Sequence, residues 1–192
     1  MTREAFIKVL DKKGYSYEMM GDSVVVNGGD SEGDVNLEKL TSLPPDVEFR
    51  NRGSVYLGAL TSLPPGVVFE NRGWVYLNSL TSLPPDVEFR NGGGVYLGAL
   101  TSLPPDVEFR NGGGVNLNSL TSLPPGVEFR NGYNVALGSI TYIPPGVVFR
   151  NGGVVYLDAL IGGRFDKWKG NMEGIDPKRL LSFMISKGIF ER

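Results

Sequence analysis

Leu80-Thr81-Ser82-Leu83-Pro84-Pro85-Asp86-Val87-Glu88-Phe89-Arg90-Asn91-Gly92-Gly93-Gly94-Val95-Tyr96-Leu97-Gly98-Ala99 is one complete unit of a 20-residue period, and the same unit begins again at Leu100. Units start at Leu40, Leu60, Leu80, Leu100, Leu120 and Ile140, with a degenerate lead-in through Val35 and Leu37. Self-similarity at a fixed period decides architecture before local propensity does, and a period of this length means a stacked array. Within the unit, Val87 and Phe89 flank Glu88, and Val95 and Leu97 flank Tyr96. Apolar residues at every second position mark two short strands. Pro84-Pro85 lacks amide donors and favours an extended segment, while Asn91-Gly92-Gly93 can supply positive φ for a tight corner. Two strands and two corners in one period make one coil of a solenoid.

One coil cannot stand alone. Leu80, Leu83, Val87, Phe89, Val95 and Leu97 are the apolar side chains it offers to a core. Their burial does not offset the conformational entropy of ordering the whole coil. Stacking buries each coil on its neighbours and completes the strand ladders, and the open ends then need caps. Thr2 to Lys13 reads as an amphipathic helix with Thr2 as N-cap, Glu4 in the first turn, Phe6, Val9 and Leu10 on one stripe and Gly14 as the stop. Tyr15 to Met20 and Ser23 to Asn27 flank Gly21-Asp22, a hairpin signal. Asp176 as N-cap, Pro177, an apolar stripe of Leu180, Leu181, Met184 and Ile185, and Gly188 define a second short helix. The expected fold is a mainly β, single-domain repeat solenoid: a helix-and-hairpin cap over 1–34, six coils over 35–160 and a helical cap over 161–192.

Composition narrows function. The 192 residues hold no Cys and no His, which removes disulfides, thiolate and imidazole metal ligands, and Ser-His-Asp or Cys-His catalysis. With 19 Lys plus Arg against 21 Asp plus Glu, no whole-molecule field favours phosphate backbones or anionic membranes. The N-terminus has no apolar signal region and no membrane-length apolar run occurs, so a cytoplasmic protein is expected.

The Leu-Thr-Ser-Leu-Pro-Pro segment resembles that of bacterial 20-residue leucine-rich repeats. The fuller unit, with Val-Glu-Phe-Arg-Asn-Gly-Gly, is similar to repeat proteins of phage and prophage genomes over the whole chain, from Gly14-Tyr15-Ser16-Tyr17 to Gly174-Ile175-Asp176-Pro177-Lys178-Arg179-Leu180-Leu181. Leucine-rich repeats carry an Asn ladder after Leu-x-Leu-x-x, where this chain has Ala59, Ser79, Ala99, Ser119, Ser139 and Ala159. The first resemblance therefore implies a β-solenoid related to the horseshoe but distinct from it. The second implies a phage-encoded protein and carries over no known activity; by analogy alone, the expected role is action in the bacterial cytoplasm on a host protein such as a defence factor.

Positions that depart from the repeat point to surface where a partner could be read. The outward position of the second strand runs Tyr56, Tyr76, Tyr96, Asn116, Ala136, Tyr156. Three consecutive tyrosines at strand spacing, about 4.8 Å, would form an aromatic stripe suited to an interface, or one that simply stabilises the sheet. Arg52, Arg72 and Trp74 stand where repeats 3 and 4 have glycine, and Trp74, between Ser54 and Gly94, should protrude. Arg52, Tyr56, Arg72, Trp74, Tyr76 and Tyr96 are the candidate partner-binding residues. A third feature is a charge ladder of Glu48, Glu88, Glu108 and Glu128 beside Arg50, Arg90, Arg110, Arg130 and Arg150, with Glu70 breaking the arginine row. It reads as a solvated salt ladder or as a phosphate-facing stripe.

Catalytic readings find little support. Asp86 and Glu88 recur with the repeat, and the glycine runs at 92–94 and 112–114 lack the Lys-Ser/Thr and helix of a phosphate loop. The spacing of Asp158, Asp166, Glu173 and Asp176 matches no cation loop. The expectation is a non-enzymatic protein-binding module without metal or cofactor. A structural rod or virion component, and nucleic-acid binding through the arginine rows, are the alternatives.

Overall fold

A computed structural model describes residues 1–159 and the backbone of Met172–Glu173. Helix α1 (Arg3–Lys13) opens the chain; the Thr2 hydroxyl accepts the Ala5 N–H at 3.2 Å, and Gly14 closes the helix in the left-handed region at φ 69°. Phe6 and Leu10 are fully buried, with Val9 packed beside them, as the stripe predicts. Strands β1 (Tyr17–Met20) and β2 (Ser23–Val26) form an antiparallel hairpin around Gly21-Asp22.

Each later unit contributes one strand to each of two sheets. The first sheet takes β4 (Val47–Phe49), β6 (Val68–Phe69), β8 (Glu88–Phe89), β10 (Glu108–Phe109), β12 (Glu128–Phe129) and β14 (Val148–Phe149). The second takes β3 (Val35–Asn36), β5 (Val55–Tyr56), β7 (Val75–Tyr76), β9 (Val95–Tyr96), β11 (Val115–Asn116), β13 (Val135–Ala136) and β15 (Val155–Tyr156). Within each sheet these strands pair in parallel, every strand against its counterpart in the next unit, as Tyr56↔Tyr76 and Phe49↔Phe69. The molecule is the expected β-solenoid. Its second sheet has seven strands, so the lead-in completes a turn and the stack has seven turns where six were expected. All six apolar positions of the unit are buried in repeat 3, and Phe49, Phe69, Phe89, Phe109, Phe129 and Phe149 stack through the core with ring centroids 5.0–5.6 Å apart.

The Asn-Gly-Gly corner works differently from its sequence reading. Positive φ falls instead after the proline pair, at Asp46 (57°), Gly66 (73°), Asp106 (56°), Gly126 (80°) and Gly146 (85°). At the corner Asn51, Asn71, Asn91, Asn111 and Asn131 are at most 1% exposed. The Asn91 Nδ2 donates to the carbonyls of Gly73 (3.1 Å), Gly93 (3.0 Å) and Gly94 (3.2 Å), tying two coils together, and Asn51, Asn111 and Asn131 repeat the pattern. The chain therefore has an asparagine ladder, displaced from the leucine-rich-repeat position. Glycine follows because coils approach closely there: a Cβ at Gly93 would lie 2.7 Å from the Gly73 carbonyl carbon and oxygen.

The ends of the stack are dressed. The Tyr15 hydroxyl accepts the Asn36 N–H at 3.1 Å and donates to the Asn36 carbonyl at 3.5 Å, satisfying the outer edge of β3. At the far end β16 (Met172–Glu173) pairs antiparallel with β14, in a segment expected to belong to a helical cap. The helix expected from Asp176 lies outside the described residues.

Candidate interaction surface

The tyrosine ladder forms as its period dictates. Tyr56 and Tyr76 stack with centroids 4.7 Å apart and planes 3° from parallel, and Tyr76 and Tyr96 at 4.9 Å and 11°. Alternation sends Val55 and Leu57 into the core and leaves the rings half-buried on the outer face of the second sheet. Burial is the first cause that pushes the Tyr56 and Tyr76 phenols above their ordinary pKa; the Asp34 carboxylate adds to it at Tyr56 and the neighbouring phenols at Tyr76. The ladder ends at Tyr96, since Asn116 and Ala136 follow.

Trp74 does not simply protrude. Its ring leans over Gly94, where an added Cβ would come within 2.2 Å of it, and stacks on Tyr96 at 5.3 Å and 24°. It remains 40% exposed. Four aromatic rings thus form one continuous surface across repeats 1 to 3. Asp34, which the sequence reading passed over, and Ser54, named there only as a neighbour of Trp74, hold this corner. The Asp34 carboxylate accepts the Ser54 N–H at 2.6 Å and the Tyr56 hydroxyl at 3.4 Å, and the Ser54 hydroxyl accepts the Trp74 N–H at 3.1 Å. The available signal was that Asp34 and Ser54 stand in a column where repeats 3 and 4 have glycine.

Arg52 and Arg72 lie on the same corner, exposed, and neither makes an ion pair among the described residues. Arg52 also lines a cavity with the Asn27 to Gly33 loop, whose Asp30 and Glu32 are acidic. The structure therefore brings Tyr56, Tyr76, Tyr96 and Trp74 into ring contact on neighbouring coils, whereas Arg52 and Arg72 are exposed on the corner that precedes the second-sheet strands, Arg52 against the 27–33 loop.

The arginine row of the first sheet is a different surface. Glu70 does not merely break it. Arg50 bridges Glu48 (2.6 Å) and Glu70 (3.3 Å), and Arg90 bridges Glu70 (3.5 Å) and Glu88 (2.8 Å), a zigzag across three coils. Arg110 pairs with Glu108 and Arg130 with Glu128, each within its own coil. The hydrogen bond from Arg110 is the first cause holding the Glu108 carboxyl below its usual pKa.

Fold and surface define a class: a two-sheeted parallel β-solenoid that presents a stacked aromatic surface on its second sheet. No protein-family model, curated protein or solved structure matches the chain. No group of three acidic side chains that could hold a metal ion occurs among the described residues, and no helix among them is long and apolar enough to cross a membrane.

Proposed function

We propose that the protein is a non-enzymatic binding module and that a partner protein docks on the corner formed by Arg52, Tyr56, Arg72, Trp74, Tyr76 and Tyr96. One observation carries this reading: the repeat departs from its own pattern here with large side chains that the architecture does not require, since glycine fills the Arg72 and Trp74 positions in repeats 3 and 4. Trp, Tyr and Arg are the residues that most often dominate binding energy at protein interfaces. The rings are already stacked on one another, so little side-chain entropy remains to be lost on docking. By analogy with the prophage repeat proteins that the unit resembles, the proposed partner is a protein of the bacterial host, with a defence protein as the candidate. The phosphate-facing alternative is the weaker one, because four arginines of the first sheet already engage glutamates.

The test is affinity capture from bacterial lysate with the wild type and an Arg72→Gly/Trp74→Gly variant, which gives repeat 2 the corner of repeat 3. The variant is expected to keep its circular dichroism and melting profile and to lose the partner, by a factor of about 30 or more for a hot-spot pair. Equal recovery by both proteins would move the site elsewhere. A nuclease-sensitive partner would favour the nucleic-acid reading, and an empty wild-type lane the structural rod.

A further inference from the structure

Carboxylates are unevenly stacked along the first sheet. The residue after the proline pair runs Asp46, Gly66, Asp86, Asp106, Gly126, Gly146, and the outward strand residue runs Glu48, Val68, Glu88, Glu108, Glu128, Val148. Only between repeats 3 and 4 does Asp stack on Asp and Glu on Glu, with no neutral residue between them. Like charges on adjacent strands destabilise a sheet.

The structure is altered at that junction. The Glu88 N–H reaches the Val67 carbonyl at 3.4 Å, the Glu128 N–H reaches Val107 at 3.3 Å and the Val148 N–H reaches Val127 at 2.9 Å, but the matching bond from Glu108 to Val87 is missing among the described residues. Strands β8 and β10 accordingly pair only at Phe89↔Phe109. The next bond, Arg110 N–H to the Phe89 carbonyl, is 3.1 Å, against 2.7–2.8 Å for its five counterparts. Beneath it Phe89 and Phe109 are the widest and most tilted pair of the buried stack, 5.6 Å and 11°. Val87 is 5% exposed, while Val67, Val107, Val127 and Val147 are at most 2%.

The aspartates also diverge. Asp86 turns back to accept the Gly66 N–H at 2.8 Å, whereas the Asp106 carboxylate lies against Gly126 in the following repeat. A groove of about 360 Å³ opens between them, lined by Pro85 to Arg90 on one side and by Asp106, Val107, Glu108 and Arg110 on the other. The charged groups facing it are Asp86, Glu88, Asp106 and Glu108, with Arg90 and Arg110. Arg90 is drawn toward Glu70 and Arg110 is paired with Glu108 in its own coil, and no ion pair links repeat 3 to repeat 4 among the described residues. On the second sheet the same junction is intact, with Val95 N–H to the Gly114 carbonyl at 2.9 Å, Leu97 N–H to Asn116 at 3.0 Å and Gly113 N–H to Gly93 at 2.9 Å.

We infer that the junction between repeats 3 and 4 is a carboxylate-sprung hinge, opening on the first sheet and pivoting on the second. Repeats 1 to 3, which carry Arg52, Arg72, Trp74 and the tyrosine ladder, move as one block against repeats 4 to 6. The hinge is independent of what docks on that block.

Amide hydrogen exchange on the full chain tests it, because local opening sets the protection of each amide. After correction for intrinsic rates, the Glu108 amide should exchange about tenfold or more faster than those of Glu88 and Glu128. The Asp106→Gly/Glu108→Val variant, which gives repeat 4 the neutral pattern of repeats 2 and 6, should slow exchange at position 108 to the level of position 128. An Asp86→Gly/Glu88→Val variant removes the repulsion from the other side and should do the same, so a folding defect in one leaves the other decisive. Wild-type protection at Glu108 equal to that at Glu128 would overturn the hinge. Fast exchange persisting in a folded variant would overturn its electrostatic cause.

Discussion

Substituting Asn91→Asp tests the asparagine ladder at its centre. The Asn91 Nδ2 sits within 3.0–3.2 Å of three carbonyl oxygens, and the side chain is 1% exposed. Asp would place an acceptor, and at neutral pH a negative charge, where those carbonyls need a donor. An uncompensated buried charge costs roughly 3–5 kcal/mol, a large share of a domain stability of about 5–15 kcal/mol. Asn91→Ala is the calibrating variant. It removes the donor without adding charge, and the carbonyls keep their backbone partners: Gly93 N–H on Gly73 (3.0 Å), Gly113 N–H on Gly93 (2.9 Å) and Val75 N–H on Gly94 (2.9 Å). Its loss should be smaller, about 1–3 kcal/mol. Burial raises the introduced carboxyl above its unfolded value of about 4, so its folded form tolerates the proton better than the charge. The stability of this variant relative to wild type is therefore greatest at low pH and falls as pH rises through the raised value. Urea unfolding of the three proteins near pH 7 and again near pH 5 measures both effects. An Asp variant as stable as the Ala variant near pH 7, or a deficit that does not shrink near pH 5, would refute the donor-only role of this column.

Gly93→Ala should cost about 1–3 kcal/mol through overpacking, since its Cβ would meet Gly73 at 2.7 Å, while Gly98→Ala, with Asn78 Oδ1 at 3.9 Å as nearest neighbour, should leave the melting temperature almost unchanged. Glu70→Arg restores the arginine row and breaks the zigzag; its deficit should stay near 1 kcal/mol, because the pairs are solvent-exposed, and should disappear in melts at about 1 M salt. Tyr15→Phe uncaps the edge of β3 and should cost about 1–2 kcal/mol in urea unfolding. In an alkaline absorbance titration, Tyr56 and Tyr76 should ionise above the ordinary tyrosine pKa, and the stability that their neutral forms contribute should be lost only as pH rises through those raised values. A titration in which all tyrosines ionise together at the ordinary value would contradict the half-buried stack.

The period made most of the fold legible. Val-x-Phe and Val-x-Leu alternation located both strands of every unit, and Thr2, Gly14 and Gly21-Asp22 located the N-terminal cap, because these signals act within a few residues of themselves. What escaped was set by neighbours one coil away. Asn91 reads locally as a turn former, and only stacking shows that its amide bridges to Gly73. Gly93 reads as conformational freedom, yet its requirement is the close approach of the coil below. Glu70 looked like an interruption until Arg50 and Arg90 were seen to reach it from both sides. Among the candidate residues, the tyrosine spacing followed directly from strand geometry. The lean of Trp74 onto Tyr96 did not, since it depends on the missing side chain at Gly94.

The two strands that end the first sheet bear on how the molecule behaves in a crowd. Every repeat offers its neighbour a parallel edge in identical register, the arrangement that lets short segments of many chains polymerise without limit. At one end β1 runs against β2, and at the other β16 runs against β14. An arriving molecule meets a reversed strand at either end of that sheet, where the hydrogen-bond pattern and side-chain register no longer match the repeat. Among the described residues, the parallel repeat of the first sheet is thus bounded on both sides by a strand that its own register does not extend.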